Sequence, residues 1–421
     1  MIRLNNIFLS SILRKKLYDE FEENIGRLWD IYVTTEEGYP RAIGYMVKKD
    51  GEIFNYEFKN IQFWQDEEGK VTIKVRGVKD IIPRTYSYLL SKHLLNKQIV
   101  DVNDKKVVRV NDLKIAEIAG ELRVVAVDSG TLARARRFGI EKAVKAFYNT
   151  INRKPNDAII MWDNVESIEM VNASLKISIP YKKLSKLHPA DLADILEDMD
   201  TSYRKKVFES LDENLAADTL EEVEPKVQAE ILENMSEEKA AEVLEAMPND
   251  EIADILEDMD GEFAEKLLKH INKEDVEEIR ELMEYEDETV GSIMNTDYLA
   301  FSADDSVGKV IECLREMNPD DEVIYYVYVI DNEGTLLGFI SLKDLIINYE
   351  DTKLSDIMNS DIISIKVANK IDEAMSVAIK YNLITLPVTD ENEVLVGIAI
   401  IYDILDDYVS DSKKKHYKKV V

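Results

Sequence analysis

Between Leu187 and Val290 the apolar residues return every 12 positions. Heptads starting at 193, 205, 217, 229, 241, 253, 265 and 277 read ADILEDM, KKVFESL, ADTLEEV, AEILENM, AEVLEAM, ADILEDM, EKLLKHI and EEIRELM. The third, fourth and seventh residues of each heptad are apolar, with Thr219 and Arg280 as the exceptions. Those three positions share one face of a helix at 3.6 residues per turn. Each 12-residue unit leaves about two turns and a break, and the breaks hold Pro189, Asp212, Pro225, Ser236, Pro248, Asn249 and Gly261. Helices this short do not bury their apolar face alone, so the pattern predicts an array of eight that stack on one another.

After Tyr285 the pattern turns to short β runs, again in two copies. Ile293-Met294-Asn295 returns as Ile357-Met358-Asn359, and YVYVIDNEGTLLGFISLKDL (326–345) returns as ITLPVTDENEVLVGIAIIYDIL (384–405). Helical stretches, SVGKVIECLREM and KIDEAMSVAIKYN, lie between, so each copy reads β-α-β-β-α. The run Val323 to Ile330 reads as a buried strand. In residues 1–185, alternation in IFNYEFKNIQFW and KVTIKVRGV predicts strands, and GRLWDIYV (26–33) against VRVNDLKI (108–115) suggests a duplication at an offset of 82. The helical run Gly130 to Thr150, with Arg134, Arg136 and Arg137, reads as a locally basic surface helix pairing with acids elsewhere, the alternative being a docking face for the acidic array or a partner.

Charge changes the picture. The chain carries 53 Lys+Arg against 84 Asp+Glu, a net of −31. Residues 187–290 alone hold 35 acids and 9 bases, a net of −26, while the N-terminal 185 residues are nearly balanced. Such a surface repels nucleic acid and anionic membranes alike and is expected to meet cations. Like charges at helical-neighbour spacing repel by a few tenths of a kcal/mol per pair, roughly, and a divalent cation relieves that. Most of these carboxylates read as solvated helix surface.

Several classes drop out. The single cysteine, Cys313, lies in an apolar run and gives no disulfide. No stretch approaches the roughly 18–20 apolar residues of a membrane span, and the N-terminus has no signal-peptide pattern. His93, His188, His270 and His416 are isolated, and no Ser/His/Asp set, Walker loop or G-x-G-x-x-G occurs. No enzyme is expected, and the chain reads as cytoplasmic.

The tandem β-α-β-β-α repeat, with Gly338, Ser341 and Asp344 closing its first copy, resembles a pair of CBS domains. That resemblance implies an adenine nucleotide such as ATP, lined by Tyr326, Ser341, Asp344 and Pro387. The second copy keeps Gly397 and Asp403 but has Ile400 in place of the hydroxyl, so one nucleotide site at most is expected. The alternative is a pair that packs without binding nucleotide. The acidic array, the junction Tyr285-Glu286-Asp287-Glu288-Thr289-Val290-Gly291-Ser292-Ile293-Met294 and the CBS pair together resemble the cytosolic half of the MgtE magnesium transporters, over about 187–409. The resemblance implies Mg²⁺ held between array and CBS pair, by Asp218, Asp250 and Asp254 on one side and Asp372, Asp403 and Asp406 on the other. Lys370 and Asn382 stand where that family often has acids, which weakens at least one such site. The first β module, with Gly26-Arg27-Leu28-Trp29-Asp30, is similar to a PRC-barrel, a compact adaptor module.

The expected fold is multidomain α+β: small N-terminal β-barrels, a right-handed array of short helices, then a tandem CBS pair. The expected limits are 1–84 and 85–185 for two PRC-barrel-like modules, 186–288 for the array, 289–409 for the CBS pair and 410–421 for a basic tail. That tail reads as a solvated terminus. With no membrane domain in the sequence, the expected function is a soluble Mg²⁺-sensing regulator, homodimeric through its CBS pair, acting on a membrane ion transporter in trans. A protein-binding adaptor and a purely nucleotide-sensing CBS regulator are the alternatives.

Overall fold

A computed structural model of the chain describes residues 1–35, 38–83, 87–155, 158–167, 181–286, 288–319 and 323–405. By contacts it divides into two units, Met1–Glu224 and Pro225–Val421.

The first unit is rich in strands. These are β1 (Ile2–Leu4), β2 (Asn6–Phe8), β3 (Lys16–Tyr18), β4 (Asn24–Thr34), β5 (Arg41–Lys49), β6 (Glu52–Gln65), β7 (Val71–Asp80) and β8 (Tyr88–Leu89). They continue with β9 (Gln98–Asp101), β10 (Lys106–Arg109), β11 (Asp112–Ile118), β12 (Glu121–Asp128), β13 (Ile159–Met161) and β14 (Val165–Glu166). Helix α1 (Leu9–Ile12) follows β2 and α2 (Leu90–His93) follows β8, while α3 (Thr131–Arg137) and α4 (Glu141–Thr150) follow β12. The main sheet runs β1-β6-β7-β3-β4-β5-β12-β11-β2, with β8 on β4 and β13 on β12. Because β5 also pairs with β6, the strands β3, β4, β5, β6 and β7 form a closed circuit of pairings. Strands from residues 1–84 and from 85–185 thus share one sheet. Among the described residues of this unit, β9, β10 and β14 form a second sheet.

The duplication at offset 82 is real and reciprocal. Asp30 in β4 accepts from the Ser91 amide at 3.0 Å and from its hydroxyl, at the start of α2. Asp112 in β11 accepts from the Ser10 amide at 3.0 Å and from its hydroxyl, at the start of α1. Each copy therefore caps the other copy's helix. Arg14 and Asn96 are counterparts too, with φ of 63° and 65° and amides bonded to Leu28 O and Val110 O. The copies differ at Asp112, whose fully buried side chain also meets Arg136 at 3.0 Å. Arg134 and Arg137 bond to Asn111 and Asn96. The basic run of α3 is thus largely spent on internal partners, Arg136 on acids as expected.

Three helices end this unit: α5 (Pro189–Glu197), α6 (Thr201–Phe208) and α7 (Glu213–Glu221). They bury Ile195, Leu196, Val207, Phe208 and Leu220, the third and fourth heptad residues. Thr219, the polar exception, is buried with its hydroxyl donating to Leu215 O at 2.5 Å. Arg204, buried, donates to Leu196 O, Glu197 O and Met199 O and so closes the C-terminus of α5.

The second unit opens with α8 (Pro225–Glu233), α9 (Glu237–Leu244), α10 (Asn249–Glu257), α11 (Gly261–Leu267) and α12 (Lys273–Leu282). The break residue Ser236 caps α9, and Asp260 and Asn272 cap α11 and α12. The CBS copies follow. The first has β15 (Ala300–Ser302), α13 (Val307–Met317), β16 (Tyr326–Ile330), β17 (Leu336–Ser341) and α14 (Leu342–Ile347). After α15 (Leu354–Ile357), the second has β18 (Ile365–Lys366), α16 (Ile371–Tyr381), β19 (Thr385–Thr389) and β20 (Leu395–Ile400). The strand expected over 323–330 begins only at Tyr326, because residues 323–325 turn.

The repeated Ile-Met-Asn has a physical reason. Asn359 bridges to Phe339 and Asn295 bridges to Ile398, so the segment before each copy lies on the other copy's hairpin. A Cβ on Gly338 would come within 2.9 Å of Asn359 O, and one on Gly397 within 2.9 Å of Asn295 O. Gly397→Ala is therefore expected to destabilise the CBS pair by about 1–3 kcal/mol. A denaturant midpoint unchanged from that of the natural chain would contradict this close approach.

Candidate functional site

Two places in the second unit gather the expected residues. The first surrounds Asp250, in the first turn of α10. Asp250 as a residue is half-buried, yet its Oδ1 is sealed from solvent and has no hydrogen-bond partner. A carboxylate oxygen in that state is costly, by about 1–3 kcal/mol or more. Burial pushes the Asp250 carboxyl well above the usual carboxylate range, and the negative charges of Asp403, Asp254 and Asp297 push it further. Thr296 Oγ1, next to Asp297 in the chain, is likewise buried without a hydrogen-bond partner.

The structure thus brings together Asp250, Asp254 and Asp403 of the expected set. It adds Asp297, which the sequence reading missed because it lies in a loop beyond the Ile-Met-Asn motif. Asp218 lies on α7 in the first unit, exposed. Asp372, exposed in the first turn of α16, is not among the charges acting on Asp250. Asp406 lies outside the described residues. Among the described residues no three acid, histidine or cysteine side chains are close enough to hold a bare metal ion. The donor set is all hard oxygen and loosely spaced. It fits an ion that keeps several of its waters, as Mg²⁺ does.

The second place is a cavity of about 220 Å³ between the CBS copies. Tyr326, Tyr328, Phe339, Tyr381, Thr385 and Pro387 are on its wall, with Asn359 and Asp361. Tyr326 stands edge-on to Phe339 at 5.3 Å, and the Tyr328 hydroxyl pairs with Thr385 Oγ1 at 3.2 Å. Burial raises the Tyr328 hydroxyl beyond the ordinary tyrosine range, so it stays neutral. Of the expected nucleotide residues, Tyr326 and Pro387 line this cavity, while Ser341 and Asp344 do not. Ser341 caps α14 and donates to Asp344 Oδ2 at 2.6 Å. That bond, with Lys343 nearby, holds the Asp344 carboxyl below its ordinary range. The two satisfy one another, a consequence of the S-x-x-D spacing at a helix start.

Fold and site together define a CBS-domain pair preceded by an acidic helical domain. Residues 187–288 match the MgtE intracellular N domain, residues 290–351 and 354–410 match the CBS domain, and residues 4–80 match the PRC-barrel domain. The magnesium transporter MgtE of Enterococcus faecalis is 40% identical over 103 residues, which is 24% of this chain and 23% of that protein. The crystal structure of the soluble part of a magnesium transporter is 32% identical with a TM-score of 0.52, covering 55% of this chain and 91% of that one. The cytosolic domain of the Mg²⁺ channel MgtE, crystallised in complex with ATP, is 32% identical with a TM-score of 0.52, covering 53% and 92%. The chain belongs to the MgtE family through its N domain and CBS pair, and its match spans less than a quarter of the curated relative's length. No helix among the described residues is long and apolar enough to cross a membrane.

Proposed function

We propose that the chain is a cytoplasmic, Mg²⁺-responsive regulator, without catalytic activity, that acts on a membrane ion transporter in trans. The observation that carries this reading is the buried, unpartnered Oδ1 of Asp250 facing the charge of Asp254, Asp297 and Asp403. Those four residues would hold the ion, with Asp218, Asp372 and Asp406 as further acids of the family pattern. Bound Mg²⁺ supplies positive charge that screens these carboxylates. Without it, they repel and favour an open arrangement of the chain. Small-angle scattering is expected to show a smaller radius of gyration in millimolar Mg²⁺ than in chelator. Identical profiles would favour the adaptor alternative, in which the acid serves only solubility. Exposed Ile346, Ile347 and Ile379 on α14 and α16 support self-association of the CBS pair as a homodimer.

A second ligand is supported by the aromatic cavity. We propose that it takes the base of an adenine nucleotide such as ATP, with Tyr326 and Pro387 against the ring and Ser341 and Asp344 toward the ribose. Tyr326→Ala is expected to weaken ATP binding about tenfold, since one stacked base contributes about 1–3 kcal/mol. Calorimetry checks this, and absence of heat with ATP, ADP and AMP would remove the nucleotide from the account. If ATP prefers the Mg²⁺-bound arrangement, each ligand strengthens the other by the same factor.

A further inference from the structure

Helix α4 has no buried residue. Its apolar side chains nevertheless fall on one stripe, Ile140, Val144, Phe147 and Ile151, at the i, i+4, i+7 and i+11 spacing of a helix face. Ile140 is 52% exposed, Phe147 62% and Ile151 44%, and Phe138 just before the helix is 78% exposed. Phe138 also lines a cleft of about 500 Å³ with Trp29, Arg14 and Arg137. Trp29 sits where the β4–β5 register shifts, which turns its indole outward, and Lys48 and Arg14 lie 4.7 and 5.6 Å from its ring. At the offset of 82 its counterpart is Asn111, buried and tied to Ser129 O and Gly130 O. The duplication therefore keeps its framework and departs from symmetry here.

The same region is basic in an acidic protein. Residues 131–154 hold seven Lys+Arg and one acid, and residues 1–186 hold 32 Lys+Arg against 25 Asp+Glu, a net of +7. Arg14, Lys48, Lys142, Arg153 and Lys154 have no ion-pair partner among the described residues. An acidic protein surface answers the cations and leaves the exposed Phe, Ile and Trp unburied. An uncharged apolar groove does the reverse. Anionic headgroups above acyl chains answer both at once.

We propose that the face made by α4, Phe138 and Trp29 binds an anionic lipid surface, with the apolar stripe at the acyl boundary and the cations among the headgroups. The test uses the full chain in flotation with phosphatidylcholine vesicles and with vesicles carrying about a third phosphatidylglycerol. Flotation is expected only with the anionic vesicles and is lost in high salt. The double variant Phe147→Asp, Ile151→Asp is expected to reduce it at least tenfold, and Lys142→Glu with Lys154→Glu to reduce it similarly. These positions are exposed, and circular dichroism checks that the variants fold. Neutralising Lys413, Lys414, Lys415, Lys418 and Lys419 to Gln is expected to leave flotation largely in place. Three results would overturn the proposal: equal flotation with neutral vesicles, undiminished binding by the α4 variants, or binding abolished by the tail variant alone. A change of oligomeric state in the α4 variants without any vesicle binding would assign the stripe to a protein contact instead.

Discussion

Asp250→Asn is expected to make the chelator-treated protein more stable, with its second unit melting ~2–4 °C higher for each kcal/mol gained. Most substitutions at a half-buried polar residue do the opposite. The sign follows from the site. Asp250 carries a buried oxygen with no partner, amid like charges. Removing its charge removes repulsion that the bond from its own backbone amide offsets only in part. In the natural chain, metal supplies the missing partner and stabilises the fold by RT ln(1 + [L]/Kd), about 2.7 kcal/mol at a hundredfold excess over Kd. The variant is therefore expected to lose most of the Mg²⁺-dependent rise in melting temperature. The pH dependence follows the same direction. A carboxyl whose folded pKa is raised binds its proton more tightly when folded. Its contribution is favourable below the ordinary carboxylate value and is lost as pH rises through the raised one. The difference in melting temperature between variant and natural chain, in chelator, is thus expected to widen from acid toward neutral pH. Thermal scans at several pH values check it, and a variant less stable than the natural chain throughout would mean that Asp250 has a partner in solution.

The second large effect is expected at Asp112. Its side chain is fully buried, with Arg136 at 3.0 Å and the Ser10 amide at 3.0 Å. Asp112→Ala strips α1 of its cap and leaves Arg136, among the described residues, with the acids Asp128 and Glu141 at 3.3 and 3.4 Å. Breaking a buried ion pair by deleting one partner costs about 3–5 kcal/mol, and the remaining acids place this case near 3. Its counterpart Asp30 has the matching serine but no arginine in its hydrogen bonds, and burial raises its carboxyl above the ordinary range. Asp30→Asn is accordingly expected to cost less than about 1 kcal/mol. Urea midpoints of the two variants decide the matter. Equal losses would mean that Arg136 adds nothing to the second copy.

Much of this architecture was legible in the chain because it is periodic. Third and fourth heptad residues such as Ile255 and Leu256 are buried as a 3.6-residue period demands, and the repeated Gly and Ile-Met-Asn mark the paired CBS hairpins. What escaped was non-local. Nothing near Ser10 announces that its cap lies 102 residues away. Arg204 looks like one of the few cations relieving an acidic surface, yet it is buried against the end of α5. At the site, Asp250, Asp254 and Asp403 were named through family resemblance and their charges act on one another, whereas Asp297 has no motif of its own. Ser341 and Asp344 were legible as a pair, but their spacing also suits a helix cap, and they close on one another.

The reciprocal caps of the N-terminal duplication also set an order of events on the ribosome. Helix α1 emerges first, yet the carboxylate that closes it belongs to Asp112, 102 residues later. At a synthesis rate of about 5–20 residues per second, the leading half waits several seconds with its apolar face uncovered. During that interval a neighbouring nascent copy can offer the same aspartate. Exchange between chains is thus a hazard written into the duplication, and tethering both halves in one polypeptide raises the local concentration of the correct partner above that of any competitor.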